Sequence, residues 1–261
     1  MPSDSDNPHL VSDPLPLTVA IIARDEADRI TGAITGLPAA EVIVIDSGST
    51  DGTPAIARSL GATVIIRDWP GHVIQKNRAL EAATQPWVLS LDADEAPDAE
   101  LVAAIRAVIE ADDPRAGFRV IRRNYWQGEP VRGGSFRPSP HPRLVRRGRG
   151  RWGGEDPHDR LIIDGPVGDL PGFLEHHPYR DLGEHLSTID RYTARFVEVS
   201  LAAGRTASWS DVLLRPLFHW FKALALQGGW RDGARGVALA WLGATHVALK
   251  WGRLRWRRDQ K

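Results

Sequence analysis

The chain has 261 residues, 42% hydrophobic and 25% charged, enough for one large globular domain or a domain with appendages. It contains no cysteine, which excludes a disulfide framework and thiolate chemistry. The formal net charge of zero conceals a division. Residues 1–113 carry 7 Lys and Arg against 19 Asp and Glu, a net of −12, whereas residues 114–261 carry 26 against 14, a net of +12. The first part suits a cation and a nucleotide-like group; the second suits an anionic partner, such as phosphate groups or a membrane surface, or simply neutralises the first.

The N-terminus lacks the charged–apolar–small pattern of a signal peptide. Residues 1–16, rich in Ser, Asp and Pro, read as a disordered lead-in. Leu17–Ala23 is an almost unbroken apolar run and predicts a buried parallel strand. Asp25 is placed to cap a helix carrying Ile30, Ile34 and Leu37. Glu41–Asp46 is a second strand, ending at Ser-Gly-Ser-Thr-Asp-Gly-Thr. Thr53 then caps a helix with Pro54 at its first position and Gly61 at its end. Ala62–Ile66 is a third strand and His72–Ala83 a helix. Trp87–Leu91 is a fourth strand, and Asp98–Glu110 a helix with Leu101, Ile105 and Val108 inward. Short strands alternating with helices predict an α/β fold, a Rossmann-like, mostly parallel sheet with flanking helices.

The fourth strand ends at Asp92 and Asp94, which alternation places on one side of the chain. Two carboxylates at a strand end repel unless a cation lies between them. Hard ions such as Mg²⁺ and Mn²⁺ are held by one or two carboxylates plus substrate phosphates, and ligands of open α/β sheets bind at the carboxyl ends of strands. The pair therefore reads as a metal–phosphate site, the alternative being an acidic loop. An EF-hand starting at Asp92 is excluded by Pro97 and Ala103, where Gly and Glu are required.

Regular alternation stops near Asp112-Asp113-Pro114. Residues 116–170 hold short β-like pieces at Phe118–Ile121, Arg143–Arg146 and Arg160–Ile163, with 12 Arg between Arg115 and Arg160. They read as a basic region completing the sheet and covering its active edge. Asp181 opens an amphipathic helix with Leu182, Leu186, Ile189, Tyr192 and Phe196. Val212–Leu226 is rich in Leu, Phe and Trp. Val237–Leu249 is free of charge but shorter than the roughly 17–25 residues a membrane span needs, and a run of Trp, Arg and Lys follows. These features fit an amphipathic helical segment in a membrane interface, or a helical pair packed on the domain. No nucleic-acid-binding motif is present. The expected divisions are 1–16, 17–113, 114–205 and 206–261.

With Val-Ile-Val-Ile-Asp-Ser-Gly-Ser-Thr-Asp-Gly-Thr and Leu-Ser-Leu-Asp-Ala-Asp-Glu both in place, the chain resembles family 2 glycosyltransferases of the GT-A fold. The pattern is close to bacterial lipopolysaccharide-core β-glucosyltransferases. The likeness extends from Leu17 to the C-terminal helices and includes Gln75-Lys76-Asn77, Pro157-His158-Asp159 and Arg191-Tyr192-Thr193. It implies that the backbone of Ile22–Arg24 and the Asp46 side chain bind the base, where a carboxylate can accept the imide N–H of uracil; Asp46 can equally be a turn cap. Asp51 can be structural. Asp92 is implied near the ribose and metal, Asp94 as principal metal ligand, and Lys76 and Asn77 near the donor. His176 is implied as a metal or phosphate contact, or a structural residue. The family usually reads Asn-Glu after its first strand, here Asp25-Glu26, and often His-Glu on the acceptor side, here His158-Asp159. Asp159 is the implied base, with Glu155 and Asp156 competing.

The resemblance thus implies an inverting transfer of a hexose, glucose by the likeness, from a UDP-linked donor with Mg²⁺ or Mn²⁺. The acceptor is a sugar hydroxyl of a lipopolysaccharide-core glycolipid or oligosaccharide, on the cytoplasmic face of the inner membrane. Alternatives are a polyprenyl-phosphate glycosyltransferase of the same fold, a phosphohydrolase acting through Asp92, and a non-catalytic membrane-bound adaptor.

Overall fold

The computed structural model describes residues 13–154 and 159–258. The expected lead-in up to residue 12, the alternative base Glu155, and Asp156 and His158 lie outside the described residues. In chain order the elements are β1 (Leu15–Ala23), α1 (Ile30–Thr35), β2 (Ala39–Asp46), α2 (Thr53–Ser59), β3 (Thr63–Ile66), α3 (His72–Ala82), β4 (Trp87–Asp92), β5 (Glu95–Pro97), α4 (Ala99–Glu110), β6 (Gly117–Trp126), β7 (Glu129–Pro130), β8 (Ser139–Arg146), β9 (Gly150–Gly153), β10 (Arg160–Ile163), β11 (Val167–His176), α5 (Leu182–Ala202), α6 (Trp209–Phe221) and α7 (Gly233–Arg258).

They form two compact units. One holds the described residues up to Ile121 together with Pro140–Leu174; the other holds Arg122–Ser139 and the chain from Glu175 onward. The expected division at 113/114 falls inside the first unit and that at 205/206 inside the second.

The first unit is built on a sheet of order β3-β2-β1-β4-β8-β6-β11-β5. β1 runs parallel to β2 and β4, and β3 parallel to β2. Every residue of β1 except Pro16 is buried, because helices cover both faces of such a sheet and leave no polar side. β1 begins at Leu15, two residues inside the expected lead-in. Leu17, Ile21, Leu89, Leu101 and Ile105 form one core layer; Ile43, Ile45, Val88 and Val145 belong to another. β4 pairs antiparallel with β8, so the Arg-rich region does complete the sheet; β6 and β8 are longer than the expected pieces, and β10 has the expected bounds. β9 and β10 form a separate antiparallel pair.

Asp98, expected as the first residue of α4, is its cap, accepting from Leu101 N–H at 2.9 Å. Asp25 does not cap α1. The helix starts at Ile30 without a side-chain cap, and Asp25, at φ 55°, accepts instead from the Thr50 N–H at 2.8 Å. The second βα loop lies against the first and takes the carboxylate. Thr53 is the first residue of α2 rather than its cap; the preceding Gly52 is left-handed.

The second unit is mostly helical. α5 is capped by Asp181 as expected, but its buried face runs through His185, Ile189 and Val197, while Leu182 and Leu186 are exposed. The apolar stripe read from the sequence is rotated by about one residue. α7, which contains the charge-free run, buries Leu239, Ala240, Ala244 and Leu254, and its Trp251 packs edge-on against Phe196 at 5.3 Å. One face of the run therefore serves helix packing, while Val237 and Trp241 stay exposed. Exposed large apolar residues of α6 are Trp209, Leu213, Leu214, Leu217, Phe218 and Phe221. No described helix is long and apolar enough to cross a membrane.

His185 is buried in an aromatic cluster, stacked on Tyr179 at 4.0 Å and accepting from the Trp126 indole N–H at 3.3 Å. Burial, with a smaller contribution from His246, pushes its pKa down to about 4. The unfolded chain, with an ordinary histidine, then binds a proton that the folded chain refuses. Stability should fall as pH drops from about 6.5 to about 4 and level off below, by an amount on the order of 1–3 kcal/mol. Urea unfolding of wild type and His185→Phe across that range tests this; the variant should show a shallower pH slope, and equal slopes would acquit the ring.

Candidate active site

Strand register sets the site. Ala23 pairs with Asp46 and Ile22 with Asp92, so the carboxyl ends of β2, β1 and β4 lie side by side and bring two acids beside the Ile22–Arg24 backbone. Ile22 is buried; the Arg24 side chain is exposed and faces Asp25 at 3.9 Å. The loops beyond these ends are stitched together. Ser49 Oγ, Thr53 Oγ1 and Asp51 Oδ2 accept the N–H groups of Asp25, Glu26 and Ala27 at 2.8–3.0 Å. Burial opposes charge on Asp51, but the hydrogen bonds from Thr53 and Ala27 outweigh it and lower its pKa.

The fully buried Asp46 carboxylate accepts from Gly48 N–H at 3.0 Å and Ser49 N–H at 2.9 Å, and from the Ser49 hydroxyl. It caps its own loop, the structural role that the sequence also allowed.

Three consecutive residues of α3 then fasten three parts of the unit. Gln75 donates to Ser47 Oγ at 3.0 Å. Asn77 pairs with both backbone groups of Trp152, donating to the carbonyl at 3.0 Å and accepting from the N–H at 2.8 Å. Between them, the buried Lys76 ammonium lies 2.9 Å from Asp92 Oδ1 and 2.9 Å from Asp159 Oδ2, and 4.3 Å from the centre of the Trp152 ring. Burial opposes its charge; Asp92 and Asp159 outweigh burial and the repulsion of Arg143, so its pKa is raised.

The other Asp92 oxygen faces Arg143 at 3.3 Å, and Arg143 also meets Glu95 at 2.6 Å. Glu95, almost fully buried, accepts the Asp92 N–H at 3.0 Å. Burial opposes the guanidinium charge, but Glu95 and Asp92 outweigh it and raise the pKa. The sequence reading missed this pair. Its one visible signal was a third acid beside Asp92 and Asp94; the arginine was one of twelve.

The structure thus gathers Lys76, Asp92 and Asp159, with Asp94 in the turn that follows β4. Asn77 is spent on Trp152. His176 belongs to the second unit, where Nδ1 lies 2.6 Å from Asn124 Oδ1. Among the described residues no three or more His, Asp or Glu form a ready-made metal cage. The donor set still fits Mg²⁺ or Mn²⁺, because such ions bind through one or two carboxylates and complete their shell with phosphate and water. Asp92, Asp94, Glu95 and Asp159 carry four formal negative charges against two on Lys76 and Arg143, leaving −2, which one divalent ion balances.

The family model of glycosyl transferase family 2 matches residues 18–163. The chain is 31% identical over 243 residues to the lipopolysaccharide core biosynthesis glycosyltransferase LpsC of Rhizobium meliloti, covering 90% of each chain. This chain is a family 2 glycosyltransferase. An uncharacterized glycosyltransferase of Rickettsia felis shares 46% over 87 residues, 33% of this chain and 31% of that protein. Among solved structures, the mannosyltransferase PcManGT of Pyrobaculum calidifontis, in complex with GDP-Man and Mn²⁺, superposes with a TM-score of 0.52 at 18% identity, covering 99% of this chain and 91% of that one. That likeness is one of fold, and the glycosyltransferase has the GT-A architecture expected.

Asp46→Ala should destabilise the glycosyltransferase by about 1–3 kcal/mol, because it takes the acceptor from the Gly48 and Ser49 N–H groups and leaves a gap at a buried position. Asp46→Asn keeps an acceptor and should recover most of that. Urea unfolding decides it; equal loss in both variants would tie the effect to charge rather than to capping.

Proposed function

We propose that this glycosyltransferase transfers a hexose, glucose by the resemblance to lipopolysaccharide-core β-glucosyltransferases, from a UDP-sugar to a sugar hydroxyl of a lipopolysaccharide-core glycolipid, with inversion. The observation that carries the reading is the Lys76 ammonium, which holds Asp92 and Asp159 on either side. One cation thereby fixes the distance between a donor-side acid and the base. In a single displacement, the acceptor oxygen bonds to the anomeric carbon as the bond to the diphosphate oxygen breaks. The hydroxyl proton passes to Asp159, whose Oδ2 is fixed by Lys76. A positioned base of this kind is worth ~10²–10⁴-fold, and alignment of the two substrates supplies much of the rest.

Asp94, with Asp92, would hold the divalent ion, which when bound offsets charge on the leaving diphosphate. Asp46 supports the base site by fixing the loop it caps, beside the Ile22–Arg24 backbone. The basic residues of the second half suit a phosphorylated acceptor, and the acceptor's lipid suits a peripheral enzyme on the cytoplasmic face of the inner membrane.

Asp94→Ala should lower metal-dependent transfer by at least about 10²-fold while circular dichroism stays unchanged. Full activity of the variant, or of wild type in EDTA, would remove the metal from the reading.

Asp159→Asn should lower kcat by about 10²–10⁴-fold with little change in UDP affinity by calorimetry, since a lost base costs transition-state rather than ground-state stabilisation. An active Asp159→Asn beside a dead Glu155→Gln would move the base to Glu155. Activity in both would favour an acceptor already ionised, such as a polyprenyl phosphate.

A further inference from the structure

We infer that α6 is the element by which this enzyme enters the interface of an anionic bilayer leaflet, and that cations beside its apolar face receive the lipid phosphates. The inference rests on the glycolipid reading only for the choice of a bilayer as partner. Leu213, Leu214, Leu217, Phe218 and Phe221 are each at least half exposed. At 3.6 residues per turn they share an arc of about 140°, a continuous stripe rather than scattered surface residues. Such a patch on a soluble unit marks a docking surface. Leu226 and Trp230, just beyond the helix, are exposed as well, at 66% and 63%.

What covers the stripe is indicated by its border. A groove of about 380 Å³ is lined by Leu214 and Phe218 together with Val247 and Trp251 of α7, and by Arg215, Lys222 and Lys250. Among the described residues no carboxylate lines it. Among the described residues neither Lys222 nor Lys250 has an ion-pair partner, whereas Arg215 is paired with Asp211. From 209 to 258 the sequence holds nine Lys and Arg against two Asp. An apolar stripe edged by unpaired cations matches acyl chains beneath phosphate headgroups. It does not match a second copy of the same basic surface, which would set like charges against each other. Within the expected membrane-associating segment, 206–261, α6 carries the continuous exposed stripe, whereas α7 exposes Trp241 and Trp256 singly and packs Leu239, Ala240, Ala244 and Leu254.

The test uses the full chain and vesicles of phosphatidylcholine with or without phosphatidylglycerol. Wild type should sediment with the anionic vesicles. Leu214→Glu with Phe218→Glu should weaken binding by at least about tenfold. Lys222→Gln with Lys250→Gln should weaken it by about fivefold per cation, and only on the anionic vesicles. Because the protein has no cysteine, an environment-sensitive dye can be placed singly. At Phe218→Cys its emission should shift to the blue on anionic vesicles, and at Glu198→Cys on exposed α5 it should not. An unshifted dye at position 218, or undiminished sedimentation of the double glutamate variant, overturns the inference. So does a lipid-free dimer that the glutamates dissolve, which would make a second copy the occupant. UDP affinity, measured on the same samples, reports on the donor reading separately: its absence in wild type would strike that reading and leave the vesicle result standing.

Discussion

One buried ammonium sets the terms for the first unit. A lone charge moved out of water is costly, and a cation in a protein interior persists only where carboxylates surround it. Lys76 meets that condition by standing between Asp92 and Asp159. These acids come from distant stretches of chain, the end of β4 and the link between β9 and β10. The ion pairs therefore fix tertiary geometry as well as charge, and α3 has to lie where it can reach both. Gln75 and Asn77 hold it there from either side. Arg143 and Glu95 repeat the device, so that each Asp92 oxygen has a cation beside it with a lone pair to spare and its backbone N–H is held by Glu95. A carboxylate so restrained cannot swing, which suits a group meant to meet substrate in one orientation.

The parallel strands explain why the acids converge at all. In β2, β1 and β4 the chain runs in one direction, and the apolar segments end almost level. Their first polar residues emerge at one edge. The acidic excess of the first 113 residues, seen in bulk, becomes local there: Asp92 and Glu95, joined by Asp159 from the second half, gather about Lys76 and Arg143.

Most of that edge was legible in the sequence. Unbroken apolar runs of β-branched residues at Leu17–Ala23 and Val42–Ile45 leave little choice but a doubly covered strand, and Asp98 before a helical apolar period is a local signal with a local cause. Asp92, Asp94, Lys76 and Asp159 could be singled out because short motifs carried them. What failed was everything decided by distant partners. Arg143 lies 48 residues from Glu95, and nothing within its own stretch separates it from its neighbouring arginines. Asp25 looks like a helix cap until a loop from the next βα unit claims its carboxylate. The C-terminal helices failed for another reason. Leu214 and Leu239 have the same hydrophobicity, and periodicity cannot tell a face that another helix covers from one that stays open.

Asp25 carries a consequence for how this fold varies. Its backbone is left-handed, at φ 55°, and its side chain must accept from the Thr50 N–H. Few residues meet both demands. Asn and Asp tolerate that conformation better than other side chains, and each offers a short side-chain oxygen at the same reach. Glycine supplies the backbone but no acceptor; serine supplies an oxygen but resists the twist. The exchange of Asn for Asp at the start of this loop is therefore nearly free to drift, whereas almost any third residue would slacken the seam between the two loops. Homologous chains should alternate between two letters here, in a pattern set by a dihedral angle rather than by the sugar each enzyme handles.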